Sequence, residues 1–556
     1  MKSKNRFLLF IAATLCCAQA FSADSKPNIL LLVAEDMSAR VGAFGDATAV
    51  TPNLDSLAAE GLRLPNAFTT AGVCAPSRAA LITGMHQISI GAQHMRTSTH
   101  PAGSYKSVPP PHIKAFPELL RAAGYYTFTD SKLDYQFSGT TAGSGPFTLW
   151  DAEGRNTGWE DREPDQPFFG MINFMATHES GTFDPLGYWP DSLLHLGMQI
   201  YRAMMFGIVS DSNPVSAAEV TLPPYYPDIP SVRREMARHY NNIHSMDRQV
   251  GELLTQLERD GLTDNTIVIW TTDHGDGLPR AKRELYDSGI KVPMIIRWPQ
   301  QWRPAGIKPG TQDRRLISFV DLAPTILAMA GVPAPDYLQG SNFLSPEIAP
   351  RNYIFASRDR IDEIEDRQRA ARDKRFKYIR SWHPGLAGGH PLAFRDLQQM
   401  TRDMRSLWKA GKLNEAQAKW FQSAGEEQLY DLHDDPHELR NLASNPDYQQ
   451  TLSRMRSALQ DWLKTVEDRG ETPEQQMVSD FLCGDCQCVT PPPKLTIEHG
   501  RLNLSSDIPG ASIGFRLDNG DWRLYQRPVP LAGLRSVEAK AVRYGWEEST
   551  VTSRKF

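Results

Sequence analysis

The sequence predicts an α/β fold built around a largely parallel sheet. Three continuous apolar runs, at residues 28–34, 167–174 and 266–272, have the form of strands buried on both faces. Helical stretches lie between them, at 53–61 and 236–261. Strands that alternate with helices are typical of a sheet covered by helices on both sides. Polar residues follow each strand, and because ligands bind at the carboxyl ends of such strands, we expect the functional site there.

Shifts in composition divide the chain into five predicted parts. Residues 1–23 carry three cations, a short apolar stretch and small residues at the end, which is the pattern of a cleaved secretory signal. The remaining parts are an α/β domain at 24–350, a smaller α+β subdomain at 351–480, a Cys/Pro linker at 481–494 and a small β-sandwich at 495–556.

Charge and hydropathy exclude two classes of partner. The 556 residues carry a net charge of −5, so no global basic field is present to bind nucleic acid. After the signal, no stretch is apolar and long enough to span a membrane. We therefore expect a periplasmic or secreted protein without an integral membrane segment.

Three cysteines cluster near the start of the linker: Cys483, Cys486 and Cys488. They offer three thiolates but no nearby fourth ligand, so a local disulfide with one leftover thiol is favoured over a zinc site.

The most informative string is Cys74-Ala-Pro-Ser-Arg78, which continues to Leu81-x-Thr-Gly84. A lone cysteine stands where a helix should begin, with proline in its first turn and glycine after its end. This string resembles the signature of the type I sulfatases. The resemblance implies an alkaline-phosphatase-like sandwich, in which a maturation enzyme converts Cys74 to formylglycine. The aldehyde hydrate of formylglycine is then the nucleophile that attacks sulfur.

Two pairs of metal-binding side chains follow two of the predicted strands. Glu35-Asp36 and Asp273-His274 supply enough oxygen and nitrogen donors for a divalent cation, with residue 74 as a further ligand. The segment 26–36 resembles the opening strand of the family, where two consecutive aspartates bind calcium, and Glu35 departs from it by one methylene. The resemblance thus implies one Ca²⁺ per chain.

Four further residues are candidates for catalysis. Arg78 lies one helical turn after Cys74, where cations and the free N–H groups of the helix can hold an anion. The resemblance implies that Lys282 contacts sulfate and helps to stabilise the leaving oxygen, and that His178 binds sulfate or serves as general acid. Lys132 matches the lysine of the family's Gly-Lys-x-His segment. Arg280 and Arg283 are rivals of Lys282 by position, so that assignment depends on the alignment.

One expected residue is missing. The family usually has a histidine two positions after the lysine matched by Lys132, and this histidine helps to release sulfate. Asp134 occupies the position here. The base is therefore either Asp134 or another histidine, and His86 and His94 are candidates.

The sugar-binding residues are less specific. Segments at 358–363 and 374–380 resemble the second subdomain of polysaccharide sulfatases and sulfamidases. Arginine forks suit sulfated or carboxylated sugars, so Arg358 and Arg360 are candidate substrate contacts, as are His94 and Arg96.

Taken with the motifs, the resemblance implies a calcium-binding sulfatase that acts on a sulfated polysaccharide or its oligosaccharides. Two alternatives keep the fold and change the bond: a sulfamidase, and a phosphate or phosphonate monoesterase. A third is a sugar-binding protein without catalysis, and the intact residues of both ligand pairs argue against it.

Overall fold

The central element of the structure is one large sheet. The structure is a computed structural model that describes residues 26–95, 105–206 and 213–556. The strands of the sheet are β1 (Asn28–Ala34), β2 (Leu62–Phe68), β3 (Tyr126–Thr129), β4 (Ala152–Glu153), β5 (Phe168–Phe174), β6 (Thr266–Thr272), β7 (Lys291–Arg297), β8 (Thr311–Gln312) and β9 (Ile317–Ser318). Their order is β4-β3-β5-β1-β6-β7-β2-β8, and β9 also pairs with β2. All pairs are parallel except those of β7 with β6 and β2. The predicted mixed, mostly parallel sheet is confirmed.

The helices of the described residues have the following bounds. They are α1 (Pro52–Glu60), α2 (Cys74–Thr83), α3 (Phe116–Ala122), α4 (Leu193–Phe206), α5 (Pro230–Arg259), α6 (Asp287–Ile290), α7 (Leu322–Met329), α8 (Gln399–Lys409), α9 (Glu415–Ala418), α10 (Gln449–Val466) and α11 (Glu474–Phe481). The predicted helix at 53–61 is α1, and the one at 236–261 is the later part of α5, which begins at Pro230.

Helices cover both faces of the sheet because successive side chains of a strand point to opposite sides. Ile29, Leu31 and Val33 of β1 pack in one core cluster with residues of α2, α3 and α7. Leu30 and Leu32 pack in a second cluster with residues of α1 and α5. The strand is therefore apolar throughout, as its sequence indicated.

The register of the central strands aligns the ends that carry polar residues. In β1, Ala34 lies opposite Phe174 of β5 on one side and Thr272 of β6 on the other. The three strands thus end at the same level, and the residues that follow them meet at one edge of the sheet.

A second, antiparallel sheet follows the large one. It comprises β10 (Ile354–Arg358), β11 (Gln368–Arg372), β12 (Phe376–Ser381) and β13 (Glu427–Asp431), in that order. The helix α10 packs on its β11 and β12 through a cluster that includes Leu452, Met455 and Leu459.

The chain ends in two small antiparallel sheets after a short hairpin. The hairpin is β14 (Leu482–Cys483) with β15 (Cys486–Gln487), and the sheets are formed by β16 (Lys494–Glu498), β17 (Arg501–Ser505), β18 (Ala511–Leu517), β19 (Arg523–Leu524), β20 (Val529–Pro530), β21 (Ser536–Arg543) and β22 (Thr552–Lys555). This C-terminal unit contacts α3, where Glu118 accepts hydrogen bonds from Ser512 and Tyr544.

The cysteine cluster forms the expected local disulfide. Cys483 and Cys488 are bonded, and Cys486 is an exposed free thiol. The expectation of one disulfide with a leftover thiol is confirmed.

Two expectations fall outside the described residues: the signal at 1–23 and the substrate contact Arg96. In the part of the chain that is described, no helix combines the length and apolarity needed to cross a membrane. The five domain boundaries inferred from composition stay predictions.

Candidate active site

The candidate active site lies where the carboxyl ends of β1, β5 and β6 meet the amino end of α2. Glu35 and Asp36 follow β1, Asp273 and His274 follow β6, and Cys74 is the first residue of α2. All five are buried. The N–H of Asp36 donates to Asp273 Oδ1 at 3.0 Å, which joins the two strand ends directly.

Four of these side chains form a compact group of donors. One ligand atom from each of Asp36, Cys74, Asp273 and His274 lies within 4.8 Å of the others. His274 Nε2 is 2.9 Å from Asp36 Oδ1 and 3.4 Å from Cys74 Sγ. Two carboxylates and an imidazole suit a hard or borderline divalent cation. The donor set therefore fits a metal ion bound beside residue 74.

The tautomer of His274 favours the same role. Its Nδ1 lies 3.0 Å from the carbonyl of Gly275, which can only accept, so Nδ1 carries a proton and Nε2 is the nitrogen that faces the group of donors. Burial opposes the charged form of His274, but the nearby Asp273 and Asp36 outweigh it and hold its pKa well above the usual value. In the charged form Nε2 carries the second proton of the ring, and a bound cation would compete with this proton for Nε2.

Asp36 is held in a backbone conformation that side chains rarely adopt. Its φ is +47°. The N–H of Gly277 donates to its carbonyl at 2.8 Å, and the N–H of Glu179 donates to its Oδ2 at 2.6 Å. Left-handed residues other than glycine persist where surrounding contacts fix them, often at functional sites. Here they aim the carboxylate at Cys74.

Glu35 is engaged by cations on both of its oxygens. Arg78 donates to Oε1 and Lys132 donates to Oε2. Arg78 is fully buried and also contacts Asp273 Oδ2 at 3.3 Å and Asn173 Oδ1 at 2.7 Å. Glu35 was predicted as a metal ligand. In the structure it lies outside the group of four donors but forms a second group of donors with Cys74 and His178, so its role as a ligand stays a prediction.

Lys282 pairs with two buried carboxylates, those of Asp36 and Glu179. Its Nζ is 2.7 Å from Asp36 Oδ2 and 2.9 Å from Glu179 Oε1. Burial opposes the ammonium, but Asp36 outweighs it and holds the pKa of Lys282 well above its usual value. Of the two rivals by position, Arg283 pairs with Glu179 at 2.8 Å, and Arg280 stacks on Tyr225 away from this group.

His178 follows β5 and completes the site. Its ring lies within 4.8 Å of donor atoms of Glu35 and Cys74. Burial lowers the pKa of His178 to about 4, Lys282 acts in the same direction, and Asp36 opposes them. The imidazole is therefore neutral near pH 7, and its Nδ1 lies 2.9 Å from the hydroxyl of Ser180.

The side chains predicted to contact the sugar are paired with other residues of the chain. Arg358 pairs with Glu284 at 2.7 Å, and Arg360 pairs with Glu474 at 2.6 Å. The ring of His94 accepts from the N–H of Arg360. Their role in substrate binding stays a prediction.

The candidates for the missing base are buried. Asp134 is 2% exposed with a φ of +60°. His86 packs against Trp462, and burial lowers its pKa to about 3. Neither belongs to the groups of donors around Cys74.

Two residues that hold the site together, Glu179 and Asn173, were not predicted from the sequence. Glu179 binds both Lys282 and Arg283, and Asn173 orients Arg78. Glu179 directly follows His178, and Asn173 lies in β5, so their positions next to a strand end were the available signal. Their partners are distant in sequence, and no local pattern indicates them.

Comparison with known proteins gives the following matches. A family model described as Sulfatase matches residues 27–332, and one described as N-sulphoglucosamine sulphohydrolase, C-terminal, matches residues 280–420. An ulvan-active sulfatase of Formosa agariphila is 42% identical over 94% of this chain and 90% of its own length. The human N-sulphoglucosamine sulphohydrolase is 26% identical over 83% of this chain and 94% of its own.

Solved structures share the fold at low identity. A 2-O GAG sulfatase aligns with a TM-score of 0.56 and 19% identity over 81% of this chain and 94% of its own. A phosphonate monoester hydrolase of Agrobacterium radiobacter aligns with a TM-score of 0.52 and 18% identity over 79% of this chain and 96% of its own. At these identities the likeness shows the fold alone.

Proposed function

The chain belongs to the sulfatase family and is a sulfuric ester hydrolase, and from that premise we propose that it removes sulfate esters from a sulfated polysaccharide or its oligosaccharides. The relative named as ulvan-active, at 42% identity over most of both chains, supports this class of substrate. Ulvan oligosaccharides are therefore the first substrates to test.

One observation carries the proposal. Cys74 stands at the amino end of α2 within 4.8 Å of donor atoms from Asp36, Asp273 and His274. A position that combines a candidate nucleophile, a cation site and the free N–H groups of a helix suits attack on an anionic ester. Packing alone does not require four polar side chains at one buried point.

We infer that Asp36, Asp273 and His274 hold Ca²⁺ together with residue 74, which a maturation enzyme converts to formylglycine. When bound, the cation would supply a Lewis acid, and a hydroxyl of the hydrated formylglycine aldehyde would supply the nucleophile. Glu35 is proposed to hold Arg78 and Lys132 in place rather than to complete the metal shell, because both of its oxygens are engaged by these cations.

The surrounding side chains divide the remaining work. Arg78, Lys132 and Lys282 present positive charge to the sulfate, which offsets the charge that develops on its oxygens. Lys282 protonates the leaving sugar oxygen. His178 is neutral and close to residue 74, so it takes the role of the family's missing histidine. It accepts the proton of the remaining hydroxyl of the sulfated hydrate, whose C–O bond to sulfate then breaks, so that sulfate leaves and the aldehyde is restored.

Mass spectrometry of the peptide that contains residue 74 tests the modification. The protein is produced in a host with the maturation enzyme, and we expect the thiol to be replaced by an aldehyde. Sulfate release from ulvan oligosaccharides is measured in parallel, with Cys74→Ala as the control. An unmodified thiol in an active enzyme, or full activity of the Ala variant, would refute the proposed nucleophile.

A second candidate is cleavage of an N–S bond. The match of residues 280–420 to the C-terminal model of N-sulphoglucosamine sulphohydrolase favours it. Paired substrates, one O-sulfated and one N-sulfated, separate the two activities by the rate of sulfate release.

We further propose that the mature protein is exported to the periplasm or beyond.

A further inference from the structure

The helix α4 and the segment before it expose an unusual concentration of apolar side chains. Of the thirteen large hydrophobic side chains that are exposed among the described residues, eight lie between positions 186 and 204. They are Leu186, Tyr188, Trp189, Leu193, Leu194, Ile200, Tyr201 and Met204. We call this set the α4 surface.

The helix α4 is amphipathic, but its polar face is buried and its apolar face is exposed. Its polar side chains face the protein: His195 and Gln199 are buried and hydrogen-bond the carbonyl of Asp184 at 3.2 and 3.1 Å. Arg202 donates to the carbonyl of Met175 at 3.3 Å. Positions 195, 199 and 202 share one helix face, so the apolar residues are left on the other. A surface helix normally turns its apolar face inward.

The size of the α4 surface suits a protein interface. Trp189, Leu193 and Met204 are 93%, 87% and 81% exposed. With roughly 200 Å² for each large side chain, the eight residues expose on the order of 1,000 Å². A single chain rarely leaves a contiguous apolar patch above about 600 Å², and a stable interface buries about 800 Å² on each partner.

The composition of the surface favours protein over lipid. Helices that lie on membranes carry lysine and arginine beside their apolar face to meet anionic lipids. Between 186 and 206 the chain has one arginine, Arg202, which turns inward, and one aspartate, Asp191, which pairs with Arg402 at 2.7 Å. Tryptophan, tyrosine and methionine without charge are typical of interface cores.

A glycine, Gly197, stands among the apolar residues of α4. It lies on the exposed face of α4, between Leu193 and Tyr201. A Cβ added there would meet no atom within 4 Å. Glycine in a helix interior lowers helix stability relative to alanine, and the fold of this chain gives no steric reason for it. A glycine on an exposed helix face does allow another backbone to approach closely.

We propose that the α4 surface binds the same surface of a second copy of this chain, in a dimer with two-fold symmetry. An uncharged apolar patch is complementary to itself, as a two-fold contact requires. Because Arg202 holds the carbonyls of Met175 and Ala176, the contact would also brace the segment that leads to His178. This inference does not depend on the proposed sulfatase reaction.

Sedimentation velocity of the mature protein over a range of concentrations tests the dimer. We expect the wild type to be a dimer at about 10 µM. The double variant Leu193→Glu/Met204→Glu should associate about 100-fold more weakly. Both positions are highly exposed, so the monomer should fold as before, which circular dichroism and the thermal midpoint check. The matched control is Ile348→Glu combined with Val551→Glu, two exposed apolar positions outside the α4 surface. It should remain dimeric.

Gly197→Leu separates a packing role from a folding role. We expect it to weaken association while leaving the thermal midpoint of the monomer unchanged or higher. A wild type that is monomeric at all concentrations, or a Leu193→Glu/Met204→Glu protein that still dimerises, would overturn the proposal. So would a monomeric wild type that sediments with vesicles of phosphatidylethanolamine and phosphatidylglycerol, because the occupant would then be lipid.

Discussion

Lys282 Nζ lies 2.7 Å from Asp36 Oδ2 and joins two residues that are 246 positions apart in the chain. The same ammonium contacts Glu179 at 2.9 Å. It is therefore fixed between two buried carboxylates, one of which belongs to the group of donors around Cys74. A flexible lysine side chain gains a defined position from this pair, at the edge of the site where a sugar oxygen would leave.

Removal of this ammonium should impair catalysis more than folding. For Lys282→Ala we expect kcat/KM for sulfate release to fall by about 10²–10⁴-fold, the range for loss of a proton donor or charged group in the transition state. Steady-state kinetics on a sulfated oligosaccharide measure the effect. Lys282→Arg should recover part of the rate because it restores the charge.

Arg280→Lys is the matched control for that experiment. Arg280 competes with Lys282 by sequence position, but in the structure it stacks on Tyr225 and donates to the carbonyls of His437 and Glu438. Its variant should lose stability while the folded fraction keeps its kcat/KM. If Lys282→Ala kept wild-type rates and Arg280→Lys lost them, the alignment that selected Lys282 would be wrong.

Glu35 and Asp36 are adjacent in sequence and should respond differently to loss of charge. We expect Asp36→Asn to weaken Ca²⁺ binding by at least about 10-fold, because it removes a donor from the group of four. Glu35→Gln should retain the metal and lower kcat, because Arg78 and Lys132 lose their shared carboxylate. Isothermal titration with Ca²⁺ and metal analysis after dialysis measure the first effect independently of activity. Equal loss of metal in both variants would show that Glu35 is a ligand.

The sequence predicted the sheet and most of the site because both depend on short local patterns. The apolar runs at β1 and β6 identify these strands without any knowledge of the residues that pack against them. Asp36 and Asp273 come within two residues of the strand ends. The cation pairs of Glu35 and the contacts of Glu179 depend on residues about 40 to 100 positions away. The apolar face of α4 has the same apolar content as a buried helix, so its exposure could not be read from composition.

His178 should act in the second half of the reaction. Its neutral imidazole lies near residue 74, whereas His86 packs against Trp462 outside the groups of donors. We therefore expect His178→Ala to release the sugar product in a burst of about one equivalent and then to turn over slowly. Rapid-quench kinetics measure the burst amplitude. A slow single phase without a burst would instead assign His178 to protonation of the leaving oxygen.

Glu235 should make stability depend on pH. It is fully buried on α5, its Oε1 accepts from the N–H of Met400 at 2.9 Å, and among the described residues its Oε2 has no hydrogen-bond partner. Burial raises its pKa to about 8, and the opposing effects of the Met400 N–H and of Arg238, which pairs with Asp184 at 2.8 Å, do not offset it. The folded state thus holds a proton that the unfolded chain releases near pH 4.5.

The stability of the folded state should fall as the pH rises, because of proton binding at Glu235. Between about pH 4.5 and 8 the folded state binds more protons at this position, so its contribution to stability is complete below that window and is lost as the pH rises through it. Urea unfolding at pH 5 and pH 8 measures the loss, which we expect to be a few kcal/mol larger for the wild type than for Glu235→Gln. Glu258→Gln, at an exposed position of the same helix, is the control and should follow the wild type. Parallel pH dependence of wild type and Glu235→Gln would mean that Glu235 ionises normally and that water or a local rearrangement solvates its carboxylate.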